Sequence, residues 1–591
     1  MCGIVGYIGT NNAQSVVING LKRLEYRGYD SAGMALLQES TYKMYKEQGR
    51  INNLERITGN LTSSVGFGHT RWATHGKVTA INAHPHQSAS GRFVVVHNGV
   101  IDNYKELKET YIPDASLLSE TDTEVLAHLI EHFARNATSE QAILHVLSLI
   151  EGSYAIVVAD GENPGTLYAA KHKSPLLIGQ GPKGRVVGSD MVALLDVAEE
   201  YMPLDDQTFV RLDEQNITIH DIKGNPLDFA FKPFTLDHVD ADKGPFEHFM
   251  LKEIHEQPAV MRRILNEYFN ASAHAKIDDA LIKRMRDKRI HILAAGTSMH
   301  AGLVGKTLFE SMAHQPVEVH IASEFAHNPP LIGDDAFFVL ISQSGETADL
   351  RACLSDVAHR GYPSLTLTNV PTSTLARESD YALALHAGPE IAVASTKAYS
   401  AQVGVLAIVA NTLGGEQLDI KQALSDAAVS MESVLSDVSH LEAMPATHLQ
   451  SRNAFYIGRG LDYAVALEAA LKLKEISYIQ TEGFAAGELK HGTLALIEED
   501  TPVIALITNK AIAANTRSNL SEVEARGGKP FIIATESVAK KTDECVVRDV
   551  HPLLTPLISI IPAQLISYYA AKALGNDIDK PRNLAKSVTV E

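Results

Sequence analysis

Cysteine is scarce in this chain: Cys2, Cys353 and Cys545 are the only three in 591 residues, far apart and without a CxxC pair. That spacing speaks against a disulfide framework and against a cysteine-based zinc site. Tryptophan occurs once, at Trp72. Positive charge is in deficit, with 52 Lys and Arg against 71 Asp and Glu and a formal net charge of −19. General nucleic-acid binders need clustered cations to neutralise phosphates, so no nucleic-acid partner is expected, and an anionic substrate must be held by local donors. No uninterrupted apolar run reaches the ~18 residues of a membrane span, and no basic segment followed by an apolar one opens the chain. The sequence therefore reads as cytoplasmic, with no membrane partner. Apolar residues are plentiful at 45%, and with 21% charged the composition is that of a globular enzyme. At roughly 100 to 200 residues per domain, such a length implies about three to five cores.

Up to about residue 230, short β-type runs such as Phe93 to His97 mix with helical patterns such as Thr123 to Phe133, an α+β arrangement. Thr121 and Glu124 have the spacing of a capping box, which places Asp122 in the first turn of a helix whose apolar face is Val125, Leu126, Leu129, Ile130 and Phe133. Between Gly224 and Gly244 the periodicity is lost, and Pro226, Pro233 and four aspartates mark a domain junction. Beyond it, strand-like runs alternate with helical patterns, the signature of doubly wound parallel sheets. The runs begin at His291, Ala336 and Ser364, and again at Ala454, Pro502 and Pro530, offset by 45 and 28 residues and then by 48 and 28. Near-equal spacing points to two copies of one α/β unit, with ligands outside the carboxyl ends of the strands. The expected domains are 2–230, a linker 231–250, 283–422, 447–581 and a C-terminal tail 582–591.

Cys2 follows the initiator methionine and precedes Gly3. A small second residue permits removal of Met1, which would leave Cys2 with a free α-amine. That amine, with a pKa of about 7.7 to 8.0 against ~8.5 for a thiol, can take the thiol proton at a cost near ~1 kcal/mol. Nucleophile and base then share one residue. Alone, CGIVGYIG also reads as the start of a buried strand. Arg71 alone could be a surface cation, Asp122 a charge complementing a helix dipole, and Asn98-Gly99 a hairpin turn. His84-Pro85-His86 lacks a third ligand of suitable spacing, so no metal is assigned.

Five segments in order change that balance: RLEYRGYDSAG (Arg23 to Gly33), GHTRWATHG (Gly68 to Gly76), NAHPH (Asn82 to His86), VHNGVIDN (Val96 to Asn103) and SETDTEV (Ser119 to Val125). Together they closely resemble the class II glutamine amidotransferase domain, an N-terminal-nucleophile fold. The resemblance implies that Cys2 attacks the glutamine amide while the Asn98 side chain and the Gly99 N–H form an oxyanion hole, where one donor is worth ~3 kcal/mol. It implies that Arg71 binds the substrate α-carboxylate and Asp122 its α-ammonium, with Thr74, His75 and Gly76 in the same pocket. Trp72 is implied as a gate on a sealed ammonia route.

In the second half, Ser342-Gln343-Ser344-Gly345-Glu346-Thr347 follows a buried strand and precedes a helical pattern, a neutral cradle for a phosphate. Ser298, after the first strand, projects at the same sheet edge; a serine-rich helix cap is the alternative for either loop. Two such loops are similar to the sugar isomerase (SIS) domain. Glu468, Lys472 and Glu475 share one helix face, which alone reads as a surface ion pair worth ~0.3 kcal/mol. With VASTKA (Val393 to Ala398) and PRNLAKSVTVE (Pro581 to Glu591), the whole chain resembles the isomerising glutamine:fructose-6-phosphate aminotransferases. By that resemblance, His491 opens the sugar ring and Lys586 forms an imine with the ketone. Glu475 moves a proton from C1 to C2, Lys472 assists it and Glu468 supports. Val393, Ser395 and Ala585 contact the sugar. Burial or a neighbouring cation is expected to free Lys586 of its proton, and Ser587 to Val590 to tie the tail down. No cofactor is implied; a homodimer is. The competing readings are a glutaminase fused to another sugar-phosphate imine activity, and a sugar-phosphate-sensing binding protein.

Overall fold

A computed structural model describes residues 2–73, 76–234, 242–269 and 274–588. Two of the expected glutamine-pocket residues, Thr74 and His75, lie outside the described residues. The chain divides into two compact units between Asp242 and Lys243, the second ending at Lys586.

The first unit is built on two antiparallel sheets. One has eight strands, with Gly3–Gly9 held between Gly184–Gly188 and Val65–Arg71. The other has six, with Phe93–Ile101 paired along its length to Gly152–Asp160. Successive side chains of a strand point to opposite faces. Val94 and Val96 accordingly join Ile4, Ile8 and Phe67 in one core. Phe93 and Val95 join Val125, Leu129 and Ile130 of the helix Asp122–Ala134 in another. A strand buried on both faces reads as an unbroken apolar run, which is why FVVV shows no alternation. On the other sheet, Gly68 makes room for Val17 and Leu21 of the helix Ala13–Leu24. Layers of helix, sheet, sheet and helix result.

The capping box expected at Thr121 does not form. Thr121 is the N-cap, but its hydroxyl meets His86 Nε2 at 3.1 Å and Ser119 Oγ at 2.9 Å. Glu124 turns back to accept the N–H groups of Leu118 (2.8 Å) and Ser119 (2.6 Å). Asp122 still falls in the first helical turn. A reciprocal box forms one helix later, between Thr138 and Gln141. At the junction, Lys232 and Pro233, assigned to the linker, instead pair as an edge strand with Glu200–Pro203. Proline is tolerated there because an edge needs no second donor. A helix already begins at Phe249.

The second unit holds two five-stranded parallel sheets of identical order. The first runs Val317–Ile321, Arg289–Ala294, Ala336–Ser342, Ser364–Thr368, Tyr381–Ala384. The second runs Gln480–Ala485, Asn453–Gly458, Pro502–Ile507, Lys529–Thr535, Cys545–Val547. Both match the doubly wound pattern read from the spacing. Among the described residues one helix, Pro552–Ala573, is long and apolar enough to cross a membrane, and 89% of its most apolar window is buried inside the fold. It packs on the helix Leu461–Ser477 as a core element.

Candidate active sites

In the first unit, the strand order brings together residues far apart in sequence. Cys2, Arg71, Trp72, His97, Gly99 and Asp122 line one pocket. The Cys2 thiol is half-buried, accepts the Trp72 N–H at 3.2 Å and lies 3.4 Å from the Trp72 carbonyl. Burial pushes the thiol above its ordinary value, while the Trp72 N–H and the Arg71 charge pull it down. Asn98 and Gly99 form no turn: both sit inside the strand Phe93–Ile101, opposite Ala155 and Tyr154. Asn98 Nδ2 donates to the Cys2 carbonyl at 3.0 Å. Gly99 has φ +133°, and a Cβ there would stand 1.9 Å from the Ser153 carbonyl. Only glycine can keep that backbone at the pocket.

The strand bearing Asn98 is pinned by histidines. His69 Nε2 meets the His97 carbonyl at 3.0 Å, and His84 Nδ1 accepts the His97 N–H at 3.2 Å. The rings of His69 and His84 stack at 4.1 Å, and burial holds both well below the usual histidine range, so they are neutral. The NAHPH segment is thus a packing and hydrogen-bonding element. Arg71 is buried, with Nη1 donating to the Lys77 carbonyl at 3.2 Å. Asp122 is partly committed, since its Oδ2 accepts the Ile101 N–H at 2.9 Å. Asp30 fixes the loop after Arg71 by accepting the Ala73 N–H at 2.9 Å. Earlier in the same motif, Arg27 ion-pairs with Asp190, which also accepts the Tyr26 hydroxyl at 2.8 Å. Gly76 has φ +76° and lies against Glu120, which accepts the Lys77 N–H at 2.9 Å. Trp72 packs edge-on to Tyr29 at 5.7 Å.

In the second unit, Ser342 closes the strand Ala336–Ser342, and its hydroxyl meets Thr347 Oγ1 at 3.0 Å and accepts the Gly345 N–H at 3.0 Å. Thr347 caps the helix Ala348–His359. Ser344 accepts the Glu346 N–H at 3.2 Å, and the Gln343 carbonyl accepts the Asn369 N–H at 3.0 Å. Hydroxyls and a helix N-terminus converge in one tight loop. Ser298 accepts from Gln402 Nε2 at 2.9 Å.

Glu468, Lys472 and Glu475 are not a surface pair. Lys472 is 1% exposed and lies 2.7 Å from Glu475 and 3.5 Å from the fully buried Glu468. Its charge persists despite burial because those two carboxylates hold its pKa above the ordinary value. Glu468 also accepts Thr297 Oγ1 at 3.0 Å and His300 Nδ1 at 2.7 Å.

Lys586 is 3% exposed at its side chain and donates to Glu390 at 2.5 Å and to the Ala392 carbonyl at 2.8 Å. A neighbouring cation was one way expected to free this lysine; its charged partner is instead a carboxylate. Burial alone would raise Glu390, but Lys586 and the N–H groups of Thr396 and Ala398 hold it down to about 2. Ser395 Oγ donates to Glu390 at 2.8 Å, and the Val393 N–H donates to the Asp579 carbonyl at 2.9 Å. The tail is tied by Arg582, whose N–H donates to Tyr478 at 2.8 Å and whose guanidinium covers that ring, and by Lys586. Val588, expected to help, is 58% exposed, and Thr589 and Val590 lie outside the described residues. Ala585 sits beside Lys586, half-buried. His491 ends the 3-10 helix Ala486–His491, is exposed, and makes no hydrogen bond to these groups among the described residues.

Sequence reasoning missed Glu390, Thr297 and His300. Glu390 lies three residues before the quoted VASTKA segment, a lone carboxylate ahead of an apolar stretch, and that was its only signal.

A thiol sharing a pocket with a buried arginine, an aspartate and a strained glycine is equipped to work on an amide, and a unit that holds both a buried lysine and a hydroxyl-rich loop at a helix N-terminus is equipped to work on a carbonyl compound. Together they define a two-part, glutamine-dependent amidotransferase acting through a sugar isomerase-type unit. Family models agree: a glutamine amidotransferase domain matches residues 69–196, and a SIS domain matches 285–411 and 449–573. The glutamine–fructose-6-phosphate aminotransferases [isomerizing] of Listeria monocytogenes and Geobacillus kaustophilus are each 53% identical, covering all of both chains. The solved C-terminal domain of glucosamine-fructose-6-phosphate aminotransferase from Francisella tularensis is 37% identical, covers 57% of this chain and all of its own, and superposes with a TM-score of 0.55. The chain is an enzyme and belongs to the isomerizing glutamine–fructose-6-phosphate aminotransferase family.

Proposed function

We propose that this enzyme hydrolyses glutamine at Cys2 and transfers the ammonia to fructose 6-phosphate, isomerising it to glucosamine 6-phosphate. The observation that carries this reading is Lys586, buried at the chain's end against Glu390 and Ala392. A module that only sensed sugar phosphate would need no amine able to add to a carbonyl, whereas imine chemistry requires one.

Removal of Met1 gives Cys2 the amine that deprotonates its thiol. The thiol needs that base because burial raises its pKa. The thiolate adds to the glutamine carboxamide, and Asn98 Nδ2 and the Gly99 N–H stabilise the oxyanion. Arg71 and Asp122 bind the substrate's two charged ends, with Trp72 and Gly76 in the same pocket. Ammonia leaves, and water releases glutamate from the thioester. Trp72 gates the ammonia's route.

Ser342, Gln343, Ser344, Thr347 and Ser298 hold the phosphate, and His491 opens the ring. Lys586 passes a proton to Glu390 and adds to the C2 ketone; loss of water gives the imine. Ammonia displaces the lysine, and Glu475 carries a proton from C1 to C2. Lys472, held by Glu468, keeps Glu475 in place, and Val393, Ser395 and Ala585 contact the sugar. No cofactor enters. We assign the domain bounds 2–230, 283–422 and 447–581, with the tail 582–591 catalytic. We further propose a cytoplasmic homodimer formed through the isomerase unit, a reading that rests on the family to which the chain belongs.

Incubation with glutamine and fructose 6-phosphate, read by mass spectrometry, tests the proposal. Glucosamine 6-phosphate is the expected product. Glutamate with a different sugar product would indicate another imine chemistry, and an unchanged sugar phosphate would indicate a sensor.

A further inference from the structure

The helix Phe249–Tyr268 places a second carboxylate beside the same lysine. Glu253 is 1% exposed, and its Oε1 accepts the N–H of Ile391 at 2.5 Å and that of Ala392 at 3.1 Å. The carbonyl of the same Ala392 is the one that accepts from Lys586. Glu253, the 391–392 peptides and Lys586 are therefore connected in series, while Glu390, one residue before Ile391, grips the lysine directly. Asp579 closes the frame: its carboxylate accepts the Phe249 and Met250 N–H groups at the start of the helix, and its carbonyl accepts the Val393 N–H.

Charge balance singles Glu253 out. Its Oε2 is buried with no partner among the described residues. An ionised carboxylate left with a bare, dry oxygen is strongly disfavoured, whereas a neutral acid is tolerated. The nearby charges are Glu390, Lys586 and Lys397. Lys586 is taken by Glu390, and Lys397 lies 2.5 Å from Glu256.

We propose that Glu253 is a positioning residue for imine formation, acting as an uncharged acid that fixes the Ile391–Ala392 backbone and, through it, Lys586. Burial, reinforced by the charge of Glu390, pushes its carboxyl up to about 8, in keeping with that state. An ionised Glu253 would add negative charge beside Lys586 and hold the lysine as ammonium, which cannot attack a ketone. The proposal rests on the assignment of Lys586 as the imine-forming residue.

The test is the rate at which borohydride fixes fructose 6-phosphate to the peptide containing Lys586, measured from pH 6 to 9.5 in the full-length protein. Wild type, Glu253→Gln and Glu253→Leu are compared, with fructose 6-phosphate binding by calorimetry as the control for folding of the second unit. Glutamine is uncharged and keeps the acceptor oxygen, so at pH 7 its trapping rate should lie within about twofold of wild type. Above pH 8 the wild-type rate should flatten as Glu253 ionises, while that of Glu253→Gln continues to climb. Glu253→Leu should lose at least tenfold at every pH with fructose 6-phosphate binding intact. A Gln variant as impaired as the Leu variant at pH 7 overturns the uncharged role, and a Leu variant that traps normally overturns the positioning role. Wild-type labelling on another peptide overturns the Lys586 assignment, and this inference with it.

Discussion

Replacing Glu390 with glutamine removes one partner of the buried ion pair while keeping its shape. The magnitude follows from the pair itself. Glu390 is held at about 2, against an ordinary glutamate near 4.3. At 1.36 kcal/mol per unit, that difference is about 3 kcal/mol of stability. The sign is that of a depressed carboxylate: the contribution is present above the unfolded value near ~4.3 and is lost as pH falls toward 2. Stripping one partner from a buried pair costs about 3 to 5 kcal/mol, the same range. Glu253 offers relief, because with Glu390 uncharged it can ionise in its place and move the result to the lower end. The assay is denaturant unfolding of the full chain, following the transition that fructose 6-phosphate stabilises. Glu390→Gln should lower it by about 3 kcal/mol at pH 7, and Glu390→Leu combined with Lys586→Met should recover most of the loss, since replacing both partners is close to neutral. A Gln variant within about 1 kcal/mol of wild type, or a double variant no more stable than Glu390→Leu alone, would refute the buried-pair reasoning.

Cys2→Ser should abolish glutamine hydrolysis and leave fructose 6-phosphate binding by calorimetry unchanged; loss of sugar binding in the folded variant would contradict separate sites. Gly99→Ala, whose Cβ would stand 1.9 Å from the Ser153 carbonyl, should lower glutaminase kcat by about 10²- to 10³-fold by displacing an oxyanion donor, and a loss below tenfold would count against that N–H. Deleting residues 582–591 removes Lys586 and should end synthesis of glucosamine 6-phosphate while sparing some glutaminase activity. Intact-mass measurement of active enzyme should show Met1 absent, because an acylated Cys2 nitrogen cannot act as the base.

Local patterns carried the strands well. Apolar runs at Ala336, Ser364 and Pro502 open strands at those residues, and those at His291 and Pro530 begin two and one residues late because Arg289 and Lys529 lead their strands with polar ends. Asn98-Gly99 was misleading as a dipeptide, since its strand conformation depends on pairing with residues 154 and 155. Thr121 and Glu124 had the spacing of a box, but tertiary partners at His86 and at the 118–119 backbone won their side chains. Candidate positions belonging to quoted motifs could be named in advance. Glu390 and Glu253 could not, because a buried charge is defined by what surrounds it, and their hydrogen-bond partners come from segments up to 196 residues away.

The two parallel sheets share one strand order, yet their first helices have parted ways. In the later copy Asp462, at the start of Leu461–Ser477, accepts the Thr508 N–H at 2.9 Å and the Thr508 hydroxyl at 2.6 Å. Thr508 directly follows the strand that corresponds to Ala336–Ser342. The donors that the proposed function turns toward an anion in one copy are thus already occupied by the chain's own carboxylate in the other. Under the proposed function the two copies divide the labour: one keeps the phosphate cradle, and its twin, relieved of binding, lends the far end of that helix, with Glu468, Lys472 and Glu475, to the chemistry. A chain with two such sheets should accordingly bind a single sugar phosphate.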